Sequence, residues 1–428
     1  MSTTIATASD YLARIAKVRS AMVAKQVDAT LLSVGHDLPY LSGYFAMPLE
    51  RLTMLVIPQN GEVVMVVPRL EVPRVVPQPG VFSIVAWGET EDPVAIVAKL
   101  LPSARKIAIG DQMWARFLVE LLPHVPGATF TRAVDVVGAL RMSKDASEIA
   151  ALRAAGAAAD RVAAQLHSGK IPLIGRTEAA VSADISSRLI AEGHNVVNFA
   201  IVAAGENAAS PHHHAGPRVI QANEIVLCDF GGTMNGYCSD ITRCVFTGQI
   251  ASDVADAYAV LFESQAAGVA AGIVGNACED VDRASRAVIE KAGYGEYFVH
   301  RTGHGIGMEA HEDPYMVSGN KLPIAAGHAF SVEPGIYISK KSKSIDKKWK
   351  GIGIRIEDDV LITSSGCEVL SGKLPKEIDL LTYEPIINKQ NKKAIDFYRV
   401  LGFVTIRQEV NDIGSGYVMD DDVMELSL

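Results

Sequence analysis

Apolar residues recur at three- and four-residue steps near the start of the chain. Leu12, Ile15, Val18 and Met22 fall on one stripe, which predicts an amphipathic helix over residues 9–26. A compact apolar run at 29–34 predicts a strand. Beyond it, RLTMLVIPQNGEVVMVV sets two apolar runs around Asn60-Gly61, the pattern of a hairpin. Strand-like and helix-like periods then alternate to about residue 137. Near LRMSKDASEIAALRAAGAAADRVAAQL the character changes. Ser143, with Glu148 beyond it, opens a long alanine-rich helical period reaching about Leu166. This places an α/β domain over residues 1–143 and a second domain over 144–372, with alanine-rich helices and strands rich in Ile, Val and Phe. Residues 373–428 have a pattern of their own and read as strand, helix, strand. Ala394, Phe397, Tyr398 and Leu401 form the helical stripe, and Gly402 stands at the expected cap.

Composition narrows the class. Of 428 residues, 49% are hydrophobic and 21% charged, an ordinary globular mixture. A net charge of −9 without a dominant basic face argues against a nucleic-acid partner. The chain has no apolar run long enough to span a bilayer and no signal-peptide core in MSTTIATASDYLARIAKVRS, so a cytoplasmic protein is expected. Five cysteines make no disulfide framework, and Cys228, Cys238 and Cys244 read as reduced core thiols. The lysine-rich stretch 340–350 reads as a solvated loop.

The stretch LCDFGGTMNGYCSDITR carries the chemistry. With Asn235-Gly236 as a two-residue turn, Asp229 faces Thr242 across a hairpin, and Asp240 shares the face of Asp229. Such diagonal neighbours sit roughly 7–8 Å apart at the backbone, within side-chain reach. Two carboxylates beside apolar strands would repel and lose hydration, so something should offset that cost. Downstream, RTGHGIGMEAHEDP sets His304 between glycines, FSVEPGIY sets Glu333 before a Pro-Gly turn, and GIRIEDDV sets Glu357 on a strand with Arg355 on the same face. Singly, these are a core histidine, a turn acid and an ion-paired glutamate. Together, four carboxylates and one imidazole carry a formal charge of about −4, which two divalent cations would neutralise. Hard oxygen donors favour Mn²⁺-like ions, and a pair about 3.5–4 Å apart is a hydrolytic device.

This set, in the order Asp, Asp, His, Glu, Glu, resembles the pita-bread metallopeptidases, and DFGG, GYCSDITR, HRTGHGIG, VEPGIY and GIRIEDDV resemble their prolidase and aminopeptidase P branch. The likeness covers residues 145–372. The first 143 residues, around DLPYLSGY, resemble the creatinase-type N-terminal domain of that branch. The implied fold is therefore an α/β creatinase-like domain, an α+β pita-bread catalytic domain and a short strand–helix–strand appendage. The resemblance implies that Asp229 binds one metal, that Asp240 and Glu357 bridge, and that His304 and Glu333 hold the other. Glu333 would also shuttle protons. His212, 17 residues before Asp229 in GENAASPHHHAG, and His311 would hydrogen-bond the substrate and steady the oxyanion. Thr242 and Arg355 would orient carboxylates, while His213 and His214 are loop neighbours without a role.

The implied reaction is hydrolysis of the Xaa-Pro bond at the N-terminus of dipeptides or short proline-containing peptides by a metal-bridging hydroxide. The implied cofactors are two divalent ions, Mn²⁺ first, with Co²⁺, Zn²⁺ or Fe²⁺ as alternatives, and relatives imply a homodimer. Some prolidases carry an arginine directly after HE-x-P, where this chain has Tyr315, so longer peptides stand beside dipeptides as substrates. A same-fold hydrolase of a non-peptide C–N bond and a non-catalytic pita-bread binding protein are the alternatives. The intact ligand set disfavours both. In the tail, Asn391, Ala394, Phe397, Tyr398, Gly402 and Phe403 resemble the C-terminal part of GNAT-type N-acetyltransferases, without a pyrophosphate-binding turn, so a non-catalytic fragment is expected.

Overall fold

A computed structural model describes residues 6–248, 252–339, 351–372, 379–380, 386–388, 392, 395–396, 399, 403–414 and 417–426. The lysine-rich stretch 340–350 and the tail positions Asn391, Ala394, Phe397, Tyr398, Leu401 and Gly402 lie outside the described residues. The chain divides into two compact units, residues 1–151 with 235–237 and 307–313, and residues 152–234, 238–306 and 314–428.

The first unit runs α1 (Ala8–Lys25), β1 (Ala29–Leu32), α2 (Asp37–Ser42), β2 (Met54–Pro58), β3 (Val64–Pro68), β4 (Ser83–Trp87), α3 (Pro93–Lys99), β5 (Lys106–Ile109), α4 (Ala115–Leu121), β6 (Thr129–Arg132) and α5 (Val134–Met142). The strands form one sheet in the order β4-β3-β2-β1-β5-β6. The predicted hairpin is the antiparallel β2–β3 pair, with Met54 opposite Val66. Leu31, Met54, Val56, Val66 and Ile107 pack with Trp87, Val97, Phe117 and Leu121 to form its core. Helix α1 opens on a Thr7/Asp10 capping box and buries Tyr11, Ile15, Val18 and Met22. Leu12, placed on the stripe by its spacing, is 44% exposed. At about 100° per residue, position 11 falls within the arc of 15, 18 and 22, and position 12 falls at its margin.

Helix α6 (Ala146–His167) starts later than its sequence signal. Ser143 ends α5. The Asp145 carboxylate accepts from Ser147 N at 2.9 Å and Glu148 N at 3.0 Å, and Glu148 accepts in return from Asp145 N at 3.0 Å. The capping pair is thus Asp145/Glu148. Glu148 is buried, 3.6 Å from Arg14, and accepts from the Tyr237 hydroxyl at 3.0 Å. Burial outweighs the pull of Arg14 and pushes its carboxyl from 4.5 up to about 7. Between those values the folded state holds a proton that the unfolded chain has released, so this group's contribution falls as pH rises through the window. On metal-loaded protein, Glu148→Gln is expected to gain roughly 1–3 kcal/mol relative to the parent between pH 5 and pH 8 in denaturant titrations. An equal difference at both pH values would contradict this.

The second unit continues through α7 (Glu178–Ala191), β7 (Val196–Ala204), β8 (Ile225–Met234), β9 (Tyr237–Cys238), β10 (Ile241–Phe246), α8 (Ser252–Ala271), α9 (Cys278–Lys291), β11 (Gly303–Gly305), β12 (Glu312–Met316), β13 (Ala329–Val332), β14 (Gly335–Ile338), β15 (Ile352–Arg355), β16 (Asp358–Thr363), β17 (Gly366–Val369) and β18 (Asp379–Leu380). Two sheets run β18-β10-β8-β7, with β9 on β8, and β12-β11-β13-β16-β17, while β14 and β15 form a separate ribbon. The period of two along β8 sorts its neighbours. Val226, Cys228 and Phe230 pack with Val162, Leu166, Ile185 and Leu189 of α6 and α7. Ile225 and Leu227 face the other way, with Leu261, Ile289, Ile336 and Ile354. Asp229 continues that second row and is thereby turned toward the β14–β15 ribbon.

In the tail, β19 (Ile386–Asn388), β20 (Phe403–Gly414) and β21 (Tyr417–Leu426) form a sheet in the order β19-β21-β20. The described residues 392, 395–396 and 399 between β19 and β20 are helical. The strand–helix–strand expectation therefore gains a further strand, β21. No helix among the described residues is long and apolar enough to cross a membrane. All five cysteines are free, and Cys228, Cys238 and Cys244 are buried.

Candidate active site

The site grows from the β8–β10 pairing. Thr242 stands opposite Asp229, the register expected from the turn. Asn235 and Gly236 both have positive φ, 53° and 86°, as a primed hairpin turn requires. A Cβ on Gly231 would lie 2.0 Å from Ser239 O, so only glycine admits the ribbon's close approach there. Asp240 occupies the break between β9 and β10, and its N–H donates to Asp359 Oδ2 at 2.9 Å.

Three other segments converge on this ribbon. β11 carries His304, and a Cβ on Gly303 would meet Ser331 O at 1.8 Å, so β13 packs directly against it. Glu333 follows β13. Glu357 lies between β15 and β16 and bridges to Thr242, where the chain leaves the ribbon to join the other sheet. Ligand atoms of Asp229, Asp240 and Glu357 lie within 4.8 Å of one another, as do those of His304, Glu333 and Glu357. His304 Nε2 is 3.3 Å from Glu333 and 3.9 Å from Asp240. Its Nδ1 lies 3.2 Å from the Gly305 carbonyl, which only accepts, so Nδ1 carries the proton and Nε2 faces the carboxylates.

The electrostatics are those of crowded buried anions. Burial, then Glu357 and Asp229, push the Asp240 carboxyl far above its usual range. Burial, then Glu333 and Asp229, do the same to Glu357. Asp229 is raised by burial against the opposing pull of Arg355. Burial alone would lower His304, but the hydrogen bond and charge of Glu333 raise it. Glu333, despite burial, is lowered by His304. Asp229 Oδ1 and Asp240 Oδ1 are buried without a hydrogen-bond partner among the described residues. Buried carboxylate oxygens without hydrogen-bond partners suit cations as their missing partners, and this hard donor set fits divalent ions.

Arg355 does not pair with Glu357. Its guanidinium donates to Asp229 Oδ2, to Thr242 Oγ1 at 2.9 Å and to the Tyr337 hydroxyl at 2.7 Å. Thr242 in turn donates to Glu357 Oε2. The Tyr337 hydroxyl is 3.0 Å from His300 Nε2, and His300 Nδ1 is 2.7 Å from the Arg301 carbonyl. A directional chain therefore runs from Arg355 through Tyr337 to His300. Burial lowers His300, which keeps it a neutral acceptor. Arg243 donates to Glu357 O at 2.7 Å and to Asp358 at 2.8 Å. His300, Tyr337, Arg243 and Asp359 were not singled out in the sequence, although each stands within a few residues of a named motif residue.

His212 is exposed on the loop after β7. His311 is exposed within segment 307–313. There Glu312 is buried against Lys144 at 2.8 Å and against Arg141. The Arg301 guanidinium lies 4.3 Å over the Tyr315 ring, a cation–π contact at the position where some prolidases have arginine.

The architecture is that of metallopeptidase family M24, to which the chain belongs. The family's model matches residues 149–364, and that of the creatinase/prolidase N-terminal domain matches residues 14–143. The expected creatinase-type and pita-bread architecture is thus present, and the protein is a metallopeptidase. It is 41% identical over 361 residues to a probable dipeptidase PepE of Mycobacterium bovis, covering 83% of this chain and 93% of that one. The crystal structure of dipeptidase PepE from Mycobacterium ulcerans superposes with a TM-score of 0.80 at 40% identity, covering 87% of this chain and 98% of that one. A prolidase from Thermococcus sibiricus superposes with a TM-score of 0.78 at 32% identity, covering 87% and 99%.

Proposed function

We propose that the protein hydrolyses the Xaa-Pro bond at the N-terminus of dipeptides and short peptides, using two divalent cations, Mn²⁺ foremost. The observation that carries this is the convergence of buried Asp229, Asp240, His304 and Glu357 with half-buried Glu333, two carboxylate oxygens being left without a hydrogen-bond partner among the described residues. Likeness to proteins named dipeptidase and prolidase supports the substrate class. Asp229 would hold one ion, His304 and Glu333 the other, and Asp240 and Glu357 both. When bound, the ions would supply an activated water and polarise the scissile carbonyl.

The chain's own groups do the rest. Glu333, kept ionised by His304, accepts a proton as the water attacks and returns it to the leaving proline nitrogen. That nitrogen belongs to a tertiary amide without N–H, so recognition cannot depend on a donor there. Thr242 and Arg355 hold the carboxylates of Glu357 and Asp229 in place. His212 and His311 would donate to the carbonyl oxygen as negative charge develops.

Proline release from Ala-Pro, and alanine release from Ala-Pro-Ala, test the reading on metal-stripped protein with and without Mn²⁺. Metal-restored cleavage of both substrates is expected. Cleavage of the dipeptide alone would narrow the activity to a prolidase, and cleavage of neither by metal-loaded protein would overturn the reading.

A further inference from the structure

We propose that Glu178 is a positioning residue for the hydrolysis, clamping the loop that carries His212. This rests on the reading of His212 as a substrate-facing group. Glu178 opens α7 with its side chain fully buried. It is not needed to cap the helix, because Thr177 Oγ1 already accepts from Ala180 N at 3.1 Å. Its carboxylate instead reaches across to the loop after β7. Oε1 accepts from Ala204 N and from Asn207 Nδ2, both at 2.9 Å. Oε2 accepts from His213 Nε2 at 2.8 Å and from Gly216 N at 3.3 Å. Four donors fill the capacity of one carboxylate, and because it only accepts, His213 presents its N–H at Nε2.

These donors span residues 204 to 216, so His212 lies inside the clasped segment, next to His213. The other side of the loop is pinned as well. A Cβ on Gly353 would lie 1.6 Å from Ala208 O, and Arg355 Nη1 donates to Pro211 O at 3.4 Å. The loop is thus held between the first turn of α7 and the strand that supplies Arg355. His212 is exposed, and its position is inherited from these pinned neighbours. A group that meets the oxyanion only in the transition state should affect kcat more than KM.

Glu178→Gln keeps the size but turns one acceptor oxygen into a donor facing other N–H groups. It is expected to lower kcat on Ala-Pro about 10–100-fold, the scale of an ångström-level misplacement, with KM and bound Mn²⁺ near the parent's. Amide exchange at Ala204 and Gly216 should accelerate. In a His212→Gln background the same change should cost little more, because both act through one contact. Should Glu178→Gln fail to fold, His213→Asn at the half-buried end of the clamp carries the same measurements. Faster exchange with unchanged kcat, loss of metal, or full additivity with His212→Gln would overturn the clamp. A His212→Gln enzyme equal to the parent would overturn the reading of His212, and the clamp with it.

Discussion

Replacing Asp240 by asparagine is expected to abolish metal-dependent cleavage of Ala-Pro, by on the order of 10³-fold or more, while making the metal-free protein more stable. The two effects have one cause. Asp240 sits among Glu357, Asp229, Asp359 and Glu333, and both burial and these neighbours oppose its charge. With ions bound, that charge would be a shared ligand, for which an amide oxygen is a poor substitute. Without ions Asp240 must either stay a crowded anion or take up a proton, at a cost to stability in both cases, and one of its oxygens has no hydrogen-bond partner among the described residues. A neutral isostere relieves repulsion and adds a donor facing acceptors. Exchanging buried charge for a neutral group of equal size gains about 1–4 kcal/mol in comparable cases, and each kcal/mol moves Tm by roughly 2–4 °C at domain sizes like these. Calorimetry of metal-free parent and variant checks the sign, and Mn²⁺ titration should raise Tm far more for the parent. A metal-free variant less stable than the parent would show that Asp240 is compensated by something other than cations.

Much of this constellation was legible because it rests on local rules. A two-residue Asn-Gly turn sets strand parity, and parity alone puts Thr242 opposite Asp229. One of the glycines flanking His304, Gly303, stands where the backbone passes closely against Ser331. The illegible parts need tertiary knowledge. The apolar alternation of GIRIEDDV runs on without a break, yet the chain changes sheets at Glu357, leaving Arg355 on one ribbon and Asp358 on another. Nothing local marks that switch, so Arg355 read as a partner of Glu357 when it pairs with Asp229, 126 positions away. Glu178 lies 35 positions before His213, and as the first residue of a helix it resembles any acid favoured by the helix dipole. The start of α6 was misplaced by two residues, because Ser143 and Asp145 are both competent caps and only the hydrogen bonds choose between them. At Leu12, a three-residue step and a four-residue step were equally consistent with the stripe, and the packing selected Tyr11.

The opposite stability response is expected at Arg355. Its guanidinium is the cation that the chain itself supplies to Asp229, and the same planar group holds Thr242 Oγ1 and the Tyr337 hydroxyl. Arg355→Met removes a buried positive charge and leaves Asp229 facing other carboxylates alone, a loss on the order of 3–5 kcal/mol in metal-free protein. Added Mn²⁺ should recover more stability in this variant than in the parent, because the ion then takes over the compensation the guanidinium had provided. Activity separates charge from orientation. Arg355→Lys keeps the positive charge but cannot reproduce three directed contacts from one plane, so Thr242 and Asp229 lose their common brace. It should therefore retain most of the metal-free stability while losing about 10–100-fold in kcat/KM, the usual cost of disturbing groups that orient metal ligands. Thermal unfolding with and without Mn²⁺, run beside Ala-Pro kinetics, reads all of these. Equal metal-free stability of Arg355→Met and parent would mean that Asp229 is not offset by the guanidinium, and full activity of Arg355→Lys would mean that charge alone, without the fork, suffices.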